Sequence, residues 1–149
     1  MNNLKDFIKT LNILYVEDEL NAREISTKVL KRFFNSVDAK ENGLEGYLAF
    51  KEKYFNNEKY DLIISDINMP KLDGMEMLEK IRGIDKQVPV IFVTARHESD
   101  ILLKAIELQI SSFIIKPLSI DAITEVINKA CEKLFLKNIV IEKNTQLEL

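Results

Sequence analysis

Apolar and polar positions along the chain follow two alternating rhythms. Short unbroken apolar runs stand at Ile13-Leu14-Tyr15-Val16, Leu62-Ile63-Ile64, Val90-Ile91-Phe92-Val93 and Phe113-Ile114-Ile115. Runs that do not alternate with polar residues are expected of strands covered on both sheet faces. A weaker strand is expected at 37–40. Between these runs the apolar spacing becomes helical. Ala22, Ile25, Val29 and Phe33 form one predicted face, while Leu44, Tyr47, Leu48 and Phe50 suggest a second helix and Met75, Leu78 and Ile81 a third. A fourth helix is expected over 101–108, and Ile120, Ile123, Ile127, Ala130 and Leu134 mark a fifth. Asn42-Gly43 and Asp73-Gly74 read as turns, while Pro70, Pro89 and Pro117 fall outside the helices. Five successive strand-then-helix units predict a doubly wound α/β fold around a parallel sheet.

Such folds place their sites beyond the C-terminal strand ends. The first predicted strand ends in Glu17-Asp18, the third in Asp66, the fourth in Thr94 and the fifth in Lys116-Pro117. Carboxylates gathered there repel one another, so they need either a cation or raised pKa values. A hard divalent ion with oxygen ligands meets that need, and Mg2+ characteristically uses one or two carboxylates and keeps waters. Lys116 offers a point charge to a phosphoryl oxygen and Thr94 a hydroxyl donor. The set points to phosphoryl transfer.

Composition narrows the setting. The chain has 149 residues, 46% hydrophobic and 30% charged, enough for one domain with a modest remainder. A net charge of -3 argues against affinity founded on nucleic-acid phosphates, and no basic recognition helix is evident, so direct nucleic-acid binding is not expected. No apolar run approaches the ~20 residues of a membrane-spanning helix, and residues 1–11 do not read as a signal peptide. Cys131 is the only cysteine, which excludes an internal disulfide and a multi-thiolate metal site. These features predict a cytoplasmic protein.

Glu17-Asp18, Asp66-Ile67-Asn68-Met69-Pro70 with Asp73-Gly74, Thr94-Ala95, and Phe113-Ile114-Ile115-Lys116-Pro117 together resemble the signature of the CheY-like receiver domain of bacterial two-component response regulators. The resemblance spans about 11–136 and implies the flavodoxin-like strand order 2-1-3-4-5. It implies that Asp66 is the phosphoacceptor, receiving its phosphoryl group from a sensor histidine kinase or a histidine phosphotransfer protein. Asp18 and Asp66 would ligate Mg2+ directly, with the backbone carbonyl of Asn68, and Glu17 through water. Thr94 and Lys116 would hold the phosphoryl oxygens, Ala95 would leave room for the group, and Phe113 would turn inward as Thr94 moves. The family also implies a cis Lys116–Pro117 bond. Departures are small: Glu-Asp replaces the commoner Asp-Asp, Leu72 a frequent methionine, and Phe113 a frequent tyrosine.

Each residue taken singly has an ordinary explanation. Asp18 could be a helix N-cap, Asp66 a turn former, Thr94 a strand-end hydroxyl and Lys116 a surface ion-pair partner. Their joint occurrence at four strand ends favours the functional reading. Other residues keep ordinary roles: His97 as a surface residue, Cys131 as an apolar filler, and Lys28, Lys31 and Arg32 as a solvated face. Rival functions fare worse. A haloacid-dehalogenase-type phosphatase needs an acid where Asn68 stands. A flavin-phosphate binder needs a first loop that attracts anions, and Glu17-Asp18 repels them. A degenerate receiver serving only as an interaction scaffold is the remaining alternative. Residues 1–136 are expected to form the receiver, and 137–149 a helical extension or linker leading to an output domain or effector not in this chain. Homodimerisation through that helix, or through the fourth helix, fifth strand and fifth helix, fits the same reading.

Overall fold

The computed structural model describes residues 3–94, 106–110, 112–116 and 119–148, with side chains described as far as residue 144. In chain order the elements are α1 (Leu4–Ile8), β1 (Asn12–Val16), α2 (Leu20–Leu30), β2 (Ser36–Lys40), α3 (Gly43–Phe55), β3 (Leu62–Asp66), α4 (Gly74–Arg82), β4 (Val90–Thr94), β5 (Ser112–Ile115) and α5 (Ile120–Glu148). The five strands form one sheet in the order β2-β1-β3-β4-β5, every pairing parallel. This is the expected fold class and strand order.

Because side chains alternate across a strand, the continuous apolar runs feed two cores at once. Ile13, Tyr15, Leu62, Ile64, Ile91 and Val93 enter one, beneath α1, α2 and α5. Leu14, Val16, Ile63, Val90 and Phe92 enter the other, beneath α3 and α4. Parallel register then aligns the strand ends: Val16 pairs with Ser65, Asp66 with Val93, and Thr94 with Ile115. The polar residues that follow these positions therefore emerge on one edge of the sheet.

The expected face of α2 needs correction, and α3 and α1 show what apolar spacing does not reveal. The buried face of α2 is Ser26 and Leu30, continued by Phe34 beyond its end, with Val29 and Phe33 at the margin. Ile25 is 65% exposed, so the packed stripe is turned away from the one its apolar spacing suggested. In α3, Leu44 and Leu48 are exposed and the buried side carries Gly43, Gly46 and Phe50. Close approach explains this: a Cβ on Gly46 would press on Met77 and Val16, so the smallest residues face the neighbouring helix and strand. The short α1 escaped the sequence reading, since five residues are too few to display a period. Asn3 caps it by accepting from Asp6 N at 2.9 Å, and Phe7 packs on Phe135 of α5 with ring centroids 5.4 Å apart.

The fifth helix does run on, reaching Glu148 without a break over 29 residues, or ~43 Å. Cys131 is fully buried in it, and burial pushes its thiol up to about 12, as suits an inert filler. Lys28, Lys31 and Arg32 are exposed. The first five residues of the expected fourth helix lie outside the described residues; Ile106 and Glu107 are helical. Ala95, His97 and Pro117, and with Pro117 the expected cis bond, also lie outside them. No helix among the described residues is long and apolar enough to cross a membrane.

The rotated face of α2 is open to test. Leu30→Ala should cost about 2–5 kcal/mol in a denaturant melt, as large-to-small changes in a core do. Ile25→Ala should stay within about 0.5 kcal/mol of the parent. The reverse order would restore the face suggested by the sequence.

Candidate functional site

The C-terminal edge of the sheet gathers the charged residues from three strand ends. Glu17 extends β1: its N–H donates to Lys40 O at 3.0 Å, and its side chain is 2% exposed. Asp18 follows in the loop before α2. The N-cap of α2 is Glu19 rather than Asp18, its carboxylate accepting from Asn21 N at 3.1 Å and Ala22 N at 2.6 Å. Capping therefore makes no demand on Asp18, and the ordinary explanation for that residue fails. Asp66 is the last residue of β3 and is largely buried. Carboxylate oxygens of Glu17, Asp18 and Asp66 all lie within 4.8 Å of one another.

Lys116, one residue beyond β5, closes the site from the other side. Its Nζ donates to Asp66 Oδ2 at 2.9 Å and to Glu17 Oε1 at 3.3 Å, while its backbone N–H bonds to Thr94 O at 2.8 Å. Thr94 ends β4 at 5% exposure, in the strand beside Asp66. Asp66 Oδ1 accepts from Ile67 N at 2.7 Å, which fixes the carboxylate against its own loop. Asn68 is exposed two residues further on. Phe113 lies half-buried, its ring centroid 6.3 Å from that of Phe92.

The electrostatics follow from this crowding. Burial, then the shared hydrogen bond and charge of Asp66, push the Glu17 carboxyl up to about 7 against the pull of Lys116. Burial would lower the Lys116 ammonium, but its hydrogen bond to Asp66, the charge of Asp66 and then Glu17 outweigh it and hold it above its ordinary value. Glu17 Oε2 is buried without a hydrogen-bond partner among the described residues. A buried acceptor of this kind beside two further carboxylates is a donor set suited to a hard cation with oxygen ligands and bound water, so the residues fit Mg2+.

Two supports carried little sequence signal. Gly74 opens α4 directly behind Asp66, with its N–H bonded to Ile67 O at 2.7 Å, and a Cβ there would overlap Asp66 O. The sequence showed only a turn glycine; the close approach is what demands it. Arg23, in α2, donates from Nη1 to Glu17 O at 2.8 Å and to Asp18 O at 3.3 Å. An arginine inside an amphipathic helix reads as solvated until the loop beside it is seen.

Comparison with known proteins agrees with this fold. The family described as the response regulator receiver domain matches residues 13–128. The chain is 34% identical over 118 residues to the chemotaxis protein CheY of Bacillus subtilis, covering 78% of this chain and 94% of that protein. It is 33% identical over 141 residues to a probable transcriptional regulator, ycf29, of Porphyra purpurea, covering 93% of this chain. It spans 65% of the length of that regulator, and 48% of the transcriptional regulatory protein RprY of Bacteroides fragilis. Among solved structures, the N-terminal domain of an uncharacterized protein from Wolinella succinogenes superposes with a TM-score of 0.76 at 34% identity, covering 86% of this chain and 99% of that one. CheY in a CheX–CheY–BeF3–Mg2+ complex from Borrelia burgdorferi gives a TM-score of 0.71 at 28% identity, covering 78% and 86%. With the sheet order, the acidic crevice and a family match over most of its length, the chain belongs to the response regulator receiver domain family.

Proposed function

We propose that Asp66 is a phosphoacceptor, taking a phosphoryl group from the phosphohistidine of a sensor histidine kinase or histidine phosphotransfer protein. Receiver domains are signalling switches, and the reading makes this chain one that is set by a single covalent change. A carboxylate oxygen of Asp66 forms the new P–O bond, the P–N bond to histidine breaks, and the electron pair leaves with the imidazole nitrogen. The observation that carries the proposal is the Asp66 carboxylate lying beside Glu17 and Asp18 with Lys116 Nζ 2.9 Å away. The Borrelia relative bound to BeF3 and Mg2+ supports the same chemistry.

Asp18, Asp66 and the backbone carbonyl of Asn68 would hold Mg2+, with Glu17 acting through water. The ion would supply neutralisation of the charge on the transferring phosphoryl group. Lys116, already on Asp66, is placed to follow a phosphoryl oxygen on that carboxylate, and Thr94 on the adjoining strand would donate its hydroxyl. Movement of Thr94 would free space for Phe113 and alter the face made by the helix ending near 106–107, by β5 and by α5. Output then belongs to a partner or a further segment. On the same reading, 1–136 form the switching unit, and 137–149 are a helical extension or linker. Leu136, Val140 and Ile141 are exposed on that extension, which suits a second copy of the helix. Sedimentation of the whole chain against one ending at 136 tests this, and equal masses would remove the dimer.

Incubation with acetyl phosphate and Mg2+ should label the protein to about one phosphoryl group per chain. Asp66→Asn should abolish the labelling, and excess EDTA should suppress it. Multiple turnover of phosphate esters would instead mark an enzyme, and inertness a scaffold.

The raised Glu17 carboxyl adds a pH prediction. In the folded protein it holds its proton up to about 7, above its ordinary 4.5, so between these values the folded state binds more protons than the unfolded chain. Its contribution to stability is complete below the lower value and is lost as pH rises through the upper one. Without metal, the melting temperature should therefore fall from pH 5 to 7.5, and Glu17→Gln should flatten that slope. Added Mg2+ should raise the melting temperature more at pH 8 than at pH 5.5. A slope unchanged in Glu17→Gln would place its origin elsewhere.

A further inference from the structure

The Asp18 carboxylate has the weakest visible support of the three acids. It is exposed, and among the described residues no hydrogen bond reaches it, whereas Asp66 is tied to Ile67 N and Lys116, and Glu17 to Lys116. Repulsion from two neighbouring carboxylates favours swinging it out into water. Its position within 4.8 Å of Glu17 and Asp66 therefore rests on the backbone that carries it.

One residue fixes that backbone. Arg23 Nη1 donates to Glu17 O at 2.8 Å and to Asp18 O at 3.3 Å, and its own backbone N–H donates to Glu19 O at 2.9 Å. Three consecutive carbonyls are thus gathered by a single residue in the first part of α2. The first two lie past the last paired residue of β1, Val16, where the sheet offers them no ladder. Arg23 is half-buried, and its shorter bond, to Glu17 O, is partly shielded from competing water, while the longer one to Asp18 O is exposed. Orienting the peptide units on both sides of Asp18 sets the direction in which its side chain leaves the loop.

We propose that Arg23 is a positioning residue for the metal site: it holds the 17–19 loop so that Asp18 projects toward Asp66 before any cation arrives. The inference rests on the metal reading above and deepens it. Mg2+ demands near-octahedral geometry with oxygens at ~2.0–2.1 Å, so a ligand that must be drawn back from solvent lowers affinity. Loss of a group that orients a metal ligand typically weakens binding about 10–100-fold. The sign separates this role from the alternatives. Arg23 is a cation near a cation site, so if it acted through charge alone, its removal would tighten Mg2+ binding. If it served only to stabilise α2, affinity of the folded protein would not change.

The test is calorimetric titration of the purified chain with MgCl2 at pH 8, for the parent and Arg23→Ala, alongside thermal melts in EDTA. The expected result is binding by the parent and about 10-fold or greater weakening in Arg23→Ala. Phosphorylation of that variant by acetyl phosphate should then regain the parental rate at saturating Mg2+, an effect on apparent affinity rather than on the chemical step. Equal or tighter binding by folded Arg23→Ala overturns the positioning role and leaves the metal site standing. Failure of the parent to bind Mg2+ overturns the metal reading itself. Where the EDTA melt shows Arg23→Ala unfolded, Arg23→Met decides, because it keeps an apolar stem but no donor for the Glu17 and Asp18 carbonyls: threefold or greater weakening supports the role, and parental or tighter affinity overturns it.

Discussion

Repulsion among Glu17, Asp18 and Asp66 is the constraint around which the rest of the molecule is arranged. Three carboxylates with oxygens within 4.8 Å of one another, two of them largely buried, are unfavourable when all are ionised. The protein meets this in two ways without any ion. Lys116 donates to both Asp66 and Glu17, and Glu17 retains its proton to about 7. Neither solution is complete, since Glu17 Oε2 is left buried without a partner among the described residues. Such a partly neutralised cluster of oxygen donors is compatible with a hard divalent cation. The proposed function follows from that imbalance.

The parallel sheet is what makes the crowding possible. Its strands are apolar on both faces, so helices cover both sides and polar chemistry is confined to the ends. Parallel pairing brings the ends of β1, β3, β4 and β5 out on the same edge, although the chain separates Glu17 from Lys116 by 99 residues. Close backbone contacts between loops then complete the walls. Gly74 lets α4 begin against the backbone of Asp66, and Gly43 N bonds to Leu72 O at 3.1 Å, joining the loop after β2 to the loop after β3. A side chain at either glycine would collide with backbone, so the loop bearing Asp66 is held by contacts that tolerate little movement.

The helices on one face form a second, larger-scale arrangement. Phe7 and Ile8 of α1 fill the space beside α5, where Phe135 and Leu134 pack against the same core. Beyond this support α5 continues as a single helix on which Leu136, Val140 and Ile141 are exposed. The same element thus packs Ile123, Ile127, Ala130 and Cys131 against the sheet and exposes apolar side chains further along.

The fold class and strand positions were legible in the sequence because their signal is local: uninterrupted apolar runs, turn residues and helical spacing. The site was legible for a related reason, since Glu17-Asp18, Thr94 and Lys116 each stand immediately after such a run and Asp66 only one residue further on, past Ser65. What the spacing misjudged was the rotation of α2, and it did not reveal that of α3. Ile25, Leu44 and Leu48 are apolar yet exposed, because which stripe packs depends on how closely each helix can approach, and glycines and Ser26 permitted the closer faces. The short α1 is stabilised by distant Phe135 rather than by its own period. Arg23 and Gly74 show their roles only when a loop and a strand end are brought against them. The sequence by itself determined the order of elements and the polar residues at their ends, because these depend on neighbours in the chain. Tertiary structure alone decided the helix rotations and the supports behind the acids, because these depend on distances between residues that the chain does not connect.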